Sequence, residues 1–296
     1  MTYALALDIG GSHVTAAAVD LQQHRLLGDP VRRHLSHAEA ATTLLDGWAQ
    51  AALAACLPGG APLRVGVAMP HPFDMELGVS HMTHKFLALL NVSVREELTR
   101  RWQGTPLAGL PLQFGNDADL FVLGEWWGGA AQGRARVMGI TLGTGIGSGF
   151  VVDGRVVTDG PEVPPEGELN RVPYRDADAE TALSSVALVR EYQRLSGEEC
   201  TVAEIAALAG QGDPRARQVF QSFGERLGEV LSPWVQRFQP ETVVVGGNVS
   251  RAWELFIGPL QQGVSVPCVQ TTLFETASLL GAAALGVREQ VKEWSV

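Results

Sequence analysis

The sequence predicts an α/β protein of two halves, each opening with a β-hairpin. Three observations carry this. Strand-like and helix-like segments alternate along the chain, which argues for an α/β architecture. Two glycine-rich turns, Asp8-Ile9-Gly10-Gly11-Ser12 and Leu142-Gly-Thr-Gly-Ile-Gly-Ser-Gly149, each lie between apolar strands. Both lead into a further strand, whereas a dinucleotide fingerprint opens into a helix. Glycine lets a backbone turn at positive φ and bring its amides close to an anion, so both turns read as phosphate cradles.

The elements follow in order. Tyr3–Leu7 and Val14–Val19 flank the first turn, with a third short strand near Arg25–Leu27. Ala38 to Cys56 is an amphipathic helix closed by Pro58-Gly59-Gly60. Leu63–Ala68 is a buried strand ending at Met69-Pro-His-Pro72. A helix over Val94–Trp102 precedes the strand Leu112–Phe114, and Asn116-Asp117 caps a helix running to about Ala131. The second half repeats the plan: strand 137–141, the second turn, strand 150–152, and an Asp153-Gly154 hairpin into Arg155–Val157. Residues 161–178 are irregular. Helices follow from Glu180, from Thr201-x-x-Glu204 (a capping box), and from Asp213-Pro214 to Phe238. Strand Thr242–Val245 reaches Gly246-Gly247-Asn248, a helix begins near Ser250, and a final helix covers about Thr276 to Val291. The expected division is 1–115, joined by the C-terminal helix 278–296, and 116–277, with a ligand cleft between the two. Hinges are expected near Gly115-Asn116 and Ala277–Gly281.

The 296 residues are 46% apolar and 18% charged, enough for two domains with their own cores. No apolar run approaches the roughly 18–20 residues of a membrane span, and no signal segment is evident. Three widely spaced cysteines, Cys56, Cys200 and Cys268, argue against a disulfide framework and fit a reducing, cytoplasmic setting. A net charge of −10 without a basic cluster argues against nucleic acid as a partner.

The order Asp8-Ile-Gly-Gly-Ser12, Asn116-Asp117-Ala118, Leu142-Gly-Thr-Gly-Ile-Gly147, then Val245-Gly-Gly-Asn248 resembles the ROK family over nearly the whole chain. That family of sugar kinases and sugar-responsive repressors lies within the actin-like ATPase superfamily, a duplicated ribonuclease H-like fold. The resemblance implies an ATP- and Mg²⁺-dependent hexose kinase, acting on a primary hydroxyl of glucose or a close relative. It implies that Gly10, Gly11, Ser12, Gly143, Thr144 and Gly145 cradle the nucleotide phosphates and that Asp8 holds Mg²⁺ through water. Gly246, Gly247 and Asn248 pass close to adenosine. Asp117 is the general base, and Asn116 binds the sugar beside it.

On the sugar side, Met69-Pro-His-Pro-Phe-Asp74 resembles the family's sugar loop, with His71 in place of glycine. Gly167-Glu168-Leu-Asn-Arg171 aligns with the family's Gly-Glu-Ile-Gly-His, retaining Glu168 and placing Arg171 at the histidine. Asp74, Glu168 and Glu180 are therefore expected sugar ligands. Lys85, in His84-Lys85-Phe86 where relatives carry an Asn-Leu pair, reads as solvated surface charge. The family's zinc loop is missing: all seven histidines lie at or before His84, and no cysteine falls between Cys56 and Cys200. No structural zinc is expected. A homodimer is expected, as in many relatives, with Trp126-Trp127 serving the core or the dimer contact. Two other readings stay open. One is a polyphosphate-dependent glucokinase, whose branch also lacks the zinc loop. The other is a non-catalytic sugar sensor, motivated by Arg171, Lys85 and His13.

Overall fold

The computed structural model describes residues 2–286. They form two compact units: one runs to Gly128 and resumes at Glu275, and the other is Gly129–Phe274. Each begins with an antiparallel hairpin whose first strand then pairs in parallel with a later one.

The first unit contains β1 (Tyr3–Ile9), β2 (His13–Asp20), β3 (Arg25–Leu26), β4 (Val31–His34), α1 (Ala41–Ala54), β5 (Val65–Met69), the small hairpin β6 (Phe73–Asp74) and β7 (Val79–Ser80), α2 (Val94–Arg101), β8 (Leu112–Asn116) and α3 (Asp117–Gly128). Its main sheet runs β3-β2-β1-β5-β8, with β4 also on β2. Strand β1 reads Tyr-Ala-Leu-Ala-Leu-Asp-Ile, and the alternation gives the sheet two different faces. Leu5, Leu7 and Ile9 point to one face, where Val65, Val67, Leu112 and Phe114 meet Leu44, Leu45 and Trp48 of α1. Burying a side chain of this size contributes roughly 1.5–3 kcal/mol.

The other face is lined by small residues, including Ala4, Ala6, Ala17, Gly66 and Ala68.

The second unit contains β9 (Arg136–Leu142), β10 (Ile146–Val152), β11 (Arg155–Val156), the short pair β12 (Pro173–Tyr174) and β13 (Ala177–Asp178), α4 (Ala179–Leu183), α5 (Ser185–Ser196), α6 (Val202–Gly210), α7 (Pro214–Phe238), β14 (Thr242–Gly246), α8 (Trp253–Gly263) and β15 (Cys268–Gln270). Its sheet runs β11-β10-β9-β14-β15. Asp153 and Gly154 both have positive φ, as the expected tight hairpin turn requires. The 25-residue α7 starts at the Asp213 cap and buries Ala216, Phe220, Phe223, Leu227, Leu231, Val235 and Phe238, spaced three or four apart. Glycines let its neighbour approach: a Cβ at Gly224 would collide with the Phe256 carbonyl of α8.

The last described helix, α9 (Ala277–Ala284), belongs to the first unit. It lies against α3, β1 and β5, in contacts that only small residues allow. A Cβ on Gly281 would strike the Leu120 carbonyl, one on Gly124 the Ala277 carbonyl, and one on Gly66 the Ala282 carbonyl. The buried Arg64 guanidinium closes the helix, donating to the Ala283 carbonyl at 2.7 Å from Nη2.

Several boundaries differ from expectation. The units part at Gly128–Gly129, not at Gly115, because α3 packs on α9. The expected hinge segments, Gly115-Asn116 and Ala277–Gly281, therefore lie inside the first unit. The segment 161–178 holds a short strand pair, and the expected helix from Glu180 is divided by the Ser184 cap. The final helix ends at Ala284, followed by a turn at 285–286; the remainder expected to Val291, and residues 287–296 of the expected C-terminal helix, lie outside the described residues.

Candidate active site

In the first unit the carboxyl ends of β1, β5 and β8 bring Asp8, Met69-Pro-His-Pro72 and Asn116-Asp117 to one edge of the sheet. Ligands of open α/β sheets bind at that edge. The register places Thr15, Asp8, Ala68 and Gly115 in one row across four strands. Paired residues share a face, so the Asp8 carboxylate stands among small neighbours. Asp117 follows Gly115 by two residues and starts α3.

Asn116 Oδ1 accepts from the amides of Ala118 (3.0 Å) and Asp119 (3.3 Å), capping the helix. That leaves the Asn116 NH₂ as the group able to donate to a ligand. Asp117 Oδ1 accepts from the Ala118 amide at 2.9 Å, and the Asp117 carbonyl accepts from the Ser278 hydroxyl of α9 at 3.4 Å. Sequence reasoning had no means of finding Ser278, which arrives from 161 residues away.

Both carboxylates titrate high. Loss of solvation pushes Asp8 up to about 7, the nearby Asp117 carboxylate adds to the rise, and Arg32 opposes it. Burial raises Asp117 too, against the Ala118 amide and the positive charges of Lys85 and His71. Lys85, expected as solvated surface charge, thus lies close enough to Asp117 to act on its ionisation.

The donor chemistry suits Mg²⁺. That ion keeps most of its water and needs only one or two carboxylates, and Asp8 supplies one, leaving Asp117 free for the acceptor hydroxyl. Among the described residues no group of three or more His, Cys, Asp or Glu is arranged to hold a metal.

The first glycine turn is tied down at both ends. The Gly10 amide donates to the His13 carbonyl at 2.9 Å; the carbonyls of Gly11 and Ser12 accept from His37 (2.9 Å) and Leu35 (3.0 Å). Neither Gly10 nor Gly11 has positive φ, so left-handed backbone is not what these glycines supply. Asp74 holds the β6–β7 turn, its Oδ1 accepting from the Leu77 amide at 2.8 Å and its carbonyl from Gly78 at 2.7 Å.

In the second unit the turn after β9 is built differently. The Gly143 amide donates to the Gly145 carbonyl at 2.9 Å, and the Gly143 carbonyl accepts from Ser185, the first residue of α5, at 2.8 Å. A Cβ on Gly143 would meet nothing within 4 Å, whereas one on Gly145 would strike the Glu180 carboxylate. Glu180 Oε2 accepts from the Ile146 amide at 3.3 Å. The structure therefore places Glu180, an expected sugar ligand, against the second glycine turn. A hollow of about 240 Å³ opens beside it, lined in part by Thr144, Glu180, Ser184 and Arg190.

Ser148 ties this hairpin to the segment carrying Glu168: its hydroxyl donates to the Gly167 carbonyl (2.6 Å) and accepts from the Leu169 amide (2.9 Å). Glu168 pairs with Arg171 at 3.1 Å. At the end of β14, Gly246 is buried and Asn248 is exposed. Between them Gly247 has φ of +80°, and a Cβ there would press on the backbone of Leu142. Here the conformational freedom of glycine is required. Trp127 is buried in the first unit and stacks on His24 at 4.1 Å between ring centroids, so its role is packing.

The sequence profile of the ROK family matches residues 4–288. The chain belongs to the ROK family. It is similar to a glucokinase of Thermotoga maritima, 30% identical over 261 residues, covering 77% of this chain and 80% of that protein. Two solved structures resemble it throughout. The ROK hexokinase of Thermus thermophilus superposes with a TM-score of 0.79 at 27% identity, covering 99% and 100% of the two chains. The inorganic polyphosphate/ATP-glucomannokinase of Arthrobacter sp. strain KM gives 0.70 at 27% identity, covering 98% and 100%. This ROK protein has the two-domain actin-like ATPase fold and is a sugar kinase.

Proposed function

We propose that this ROK sugar kinase transfers the terminal phosphoryl group of ATP, with Mg²⁺, to a primary hydroxyl of a hexose, glucose or a close relative. The observation that carries the reading is the pair Asp8 and Asp117, two high-titrating carboxylates at the carboxyl ends of parallel strands two positions apart in one sheet. Phosphoryl transfer is catalysed mainly by positioning and electrostatics. Asp8 holds the metal, which when bound neutralises donor charge. Asp117, starting a helix and fixed by the Ala118 amide, accepts the proton of the attacking hydroxyl. Its raised pKa makes it a stronger base than an exposed carboxylate while leaving it ionised above that pKa.

The NH₂ of Asn116 orients the sugar hydroxyl. Gly10–Ser12 and Gly143–Gly145 bind the donor phosphates; the empty space over Gly143 supports this assignment. Gly246, Gly247 and Asn248 are assigned to adenosine, and Glu168, Glu180 and Asp74 to the sugar loops. Polyphosphate is the alternative donor, favoured by the likeness to the Arthrobacter enzyme; the net charge of −10 weighs against a long polyanion.

A coupled assay of the purified protein against a panel of hexoses, with ATP or polyphosphate, tests the proposal. Turnover with ATP and Mg²⁺ on a hexose is expected. Tight sugar binding without transfer from either donor would make the protein a sensor and overturn the reading.

A further inference from the structure

The row of paired residues at the carboxyl edge of the first sheet does not stop at Thr15. Strand β4 pairs with β2 on its far side, and its register sets Arg32 opposite Thr15 and His34 opposite His13. The row therefore reads Arg32, Thr15, Asp8, Ala68, Gly115, with all five on one face. Neighbouring strands are about 4.8 Å apart, so the backbone of Arg32 lies about 10 Å from that of Asp8. An extended arginine side chain bridges much of that gap. Thr15 between them is small and only partly buried.

The guanidinium is about half exposed, so a ligand can reach it, and it leans toward the first glycine turn. Its Nη2 is 3.4 Å from His13 Nδ1, and that imidazole nitrogen is in turn 3.1 Å from the Ser12 hydroxyl. Its Nη1 is 3.6 Å from Glu275, just before α9. The Arg32 charge is thus held at the first glycine turn, beside Asp8, whose ionisation it favours. His13 is kept neutral by burial and by the nearby Arg32 and His34 charges, so its ring can accept from the guanidinium. The adjacent Arg33 faces the other way, donating to Gln50 of α1 at 2.5 Å.

A donor phosphate placed on this turn would meet two carboxylates, Asp8 and Glu275. Backbone amides alone are a weak counter to that charge. We propose that Arg32 is the cationic ligand of the donor phosphates at the first glycine turn, and that the phosphate takes the guanidinium from Glu275 on binding. The row then has a donor end, Arg32 and Thr15, and an acceptor end, Gly115 to Asp117, with Asp8 between them. This rests on the kinase reading for the identity of the donor, and on the register and contacts of β4 for the residue.

The test is calorimetric titration with ATP–Mg²⁺ and, separately, polyphosphate, alongside the coupled assay. Arg32→Ala should weaken donor binding by about tenfold to a hundredfold, the scale of a charge-assisted phosphate contact, with sugar affinity within twofold. Arg32→Lys should recover part of the loss, and Arg33→Ala should bind as wild type. Glu275→Gln should tighten donor binding by removing the competitor; it keeps the test open if Arg32→Ala unfolds. Unchanged donor affinity in Arg32→Ala, or weaker binding in Glu275→Gln, would overturn the inference. A wild-type protein that binds donor but transfers nothing to any hexose would sink the kinase reading while leaving the Arg32 result intact. Failure of the wild type to bind either donor would overturn both.

Discussion

Replacing Asp117 by Asn separates the base from the scaffold at that position. The amide oxygen of Asn can still accept from the Ala118 amide, as Asp117 Oδ1 does at 2.9 Å. The helix cap is untouched, because it is made by Asn116 Oδ1. What is lost is the ability to take a proton. General-base catalysis is worth roughly 10²–10⁴ in rate, or about 2.7–5.4 kcal/mol of activation free energy at 1.36 kcal/mol per decade. The fall should be in kcat, with the KM for ATP changed by no more than about twofold. Stability should hold or rise, since the substitution removes one of two neighbouring carboxylates that lose solvation on folding. That combination, a collapsed kcat with an undiminished Tm, distinguishes a functional acid from a structural cap. Steady-state kinetics under saturating sugar and a thermal melt measure both. A kcat within about threefold of wild type would refute the assignment.

Three other outcomes follow from the geometry. Asp8 titrates near 7 in the folded protein against 3.8 as its ordinary value, so its contribution to stability is full below the ordinary value, declines as pH rises between the two, and is flat above. Metal must displace that proton, so Mg²⁺ affinity should fall as pH drops below about 7, and calorimetry at pH 6 in buffers of different ionisation enthalpy should show proton release; none would contradict the Asp8 site. Gly143→Ala should leave Tm within about 1 °C, because its Cβ meets nothing, yet raise the donor KM several-fold; an unchanged KM would remove Gly143 from the phosphate site. Gly247→Ala should cost roughly 1–3 kcal/mol from its left-handed backbone alone, more with the Leu142 contact, and a melt matching wild type would refute that constraint.

Much of the fold is legible because its signals are local. The hairpins, the Asp213-Pro214 helix start and the Thr201–Glu204 capping box all lie in short windows, and the structure contains each of them. What escaped depends on distant partners. Strand β4, Val-Arg-Arg-His, has no apolar alternation and is a strand only because β2 offers it an edge. Strand β15 is three residues long and owes its existence to β14. The division at Gly128 follows from Gly124 and Gly281, 157 positions apart, fitting against each other's helices.

The candidate site divides the same way. Asp8, Asn116 and Asp117 stand out by their position next to turns and caps. Lys85, Arg32 and Ser278 come from a loop, an unforeseen strand and the returning helix, and their proximity to the carboxylates is a product of topology. The glycines show a further limit: the sequence marks Gly10 and Gly247 alike, but only Gly247 is held at positive φ.

Direct identification of the product bears most closely on the central claim. Purified protein, ATP, Mg²⁺ and each hexose of a panel should yield, by phosphorus-31 and proton NMR, a sugar phosphorylated at its primary hydroxyl, with Asp117→Asn and Asp8→Asn both falling at least a hundredfold behind wild type. Phosphate appearing at another position, or full product formation by either variant, would contradict the account of Asp8 and Asp117 as the reaction centre.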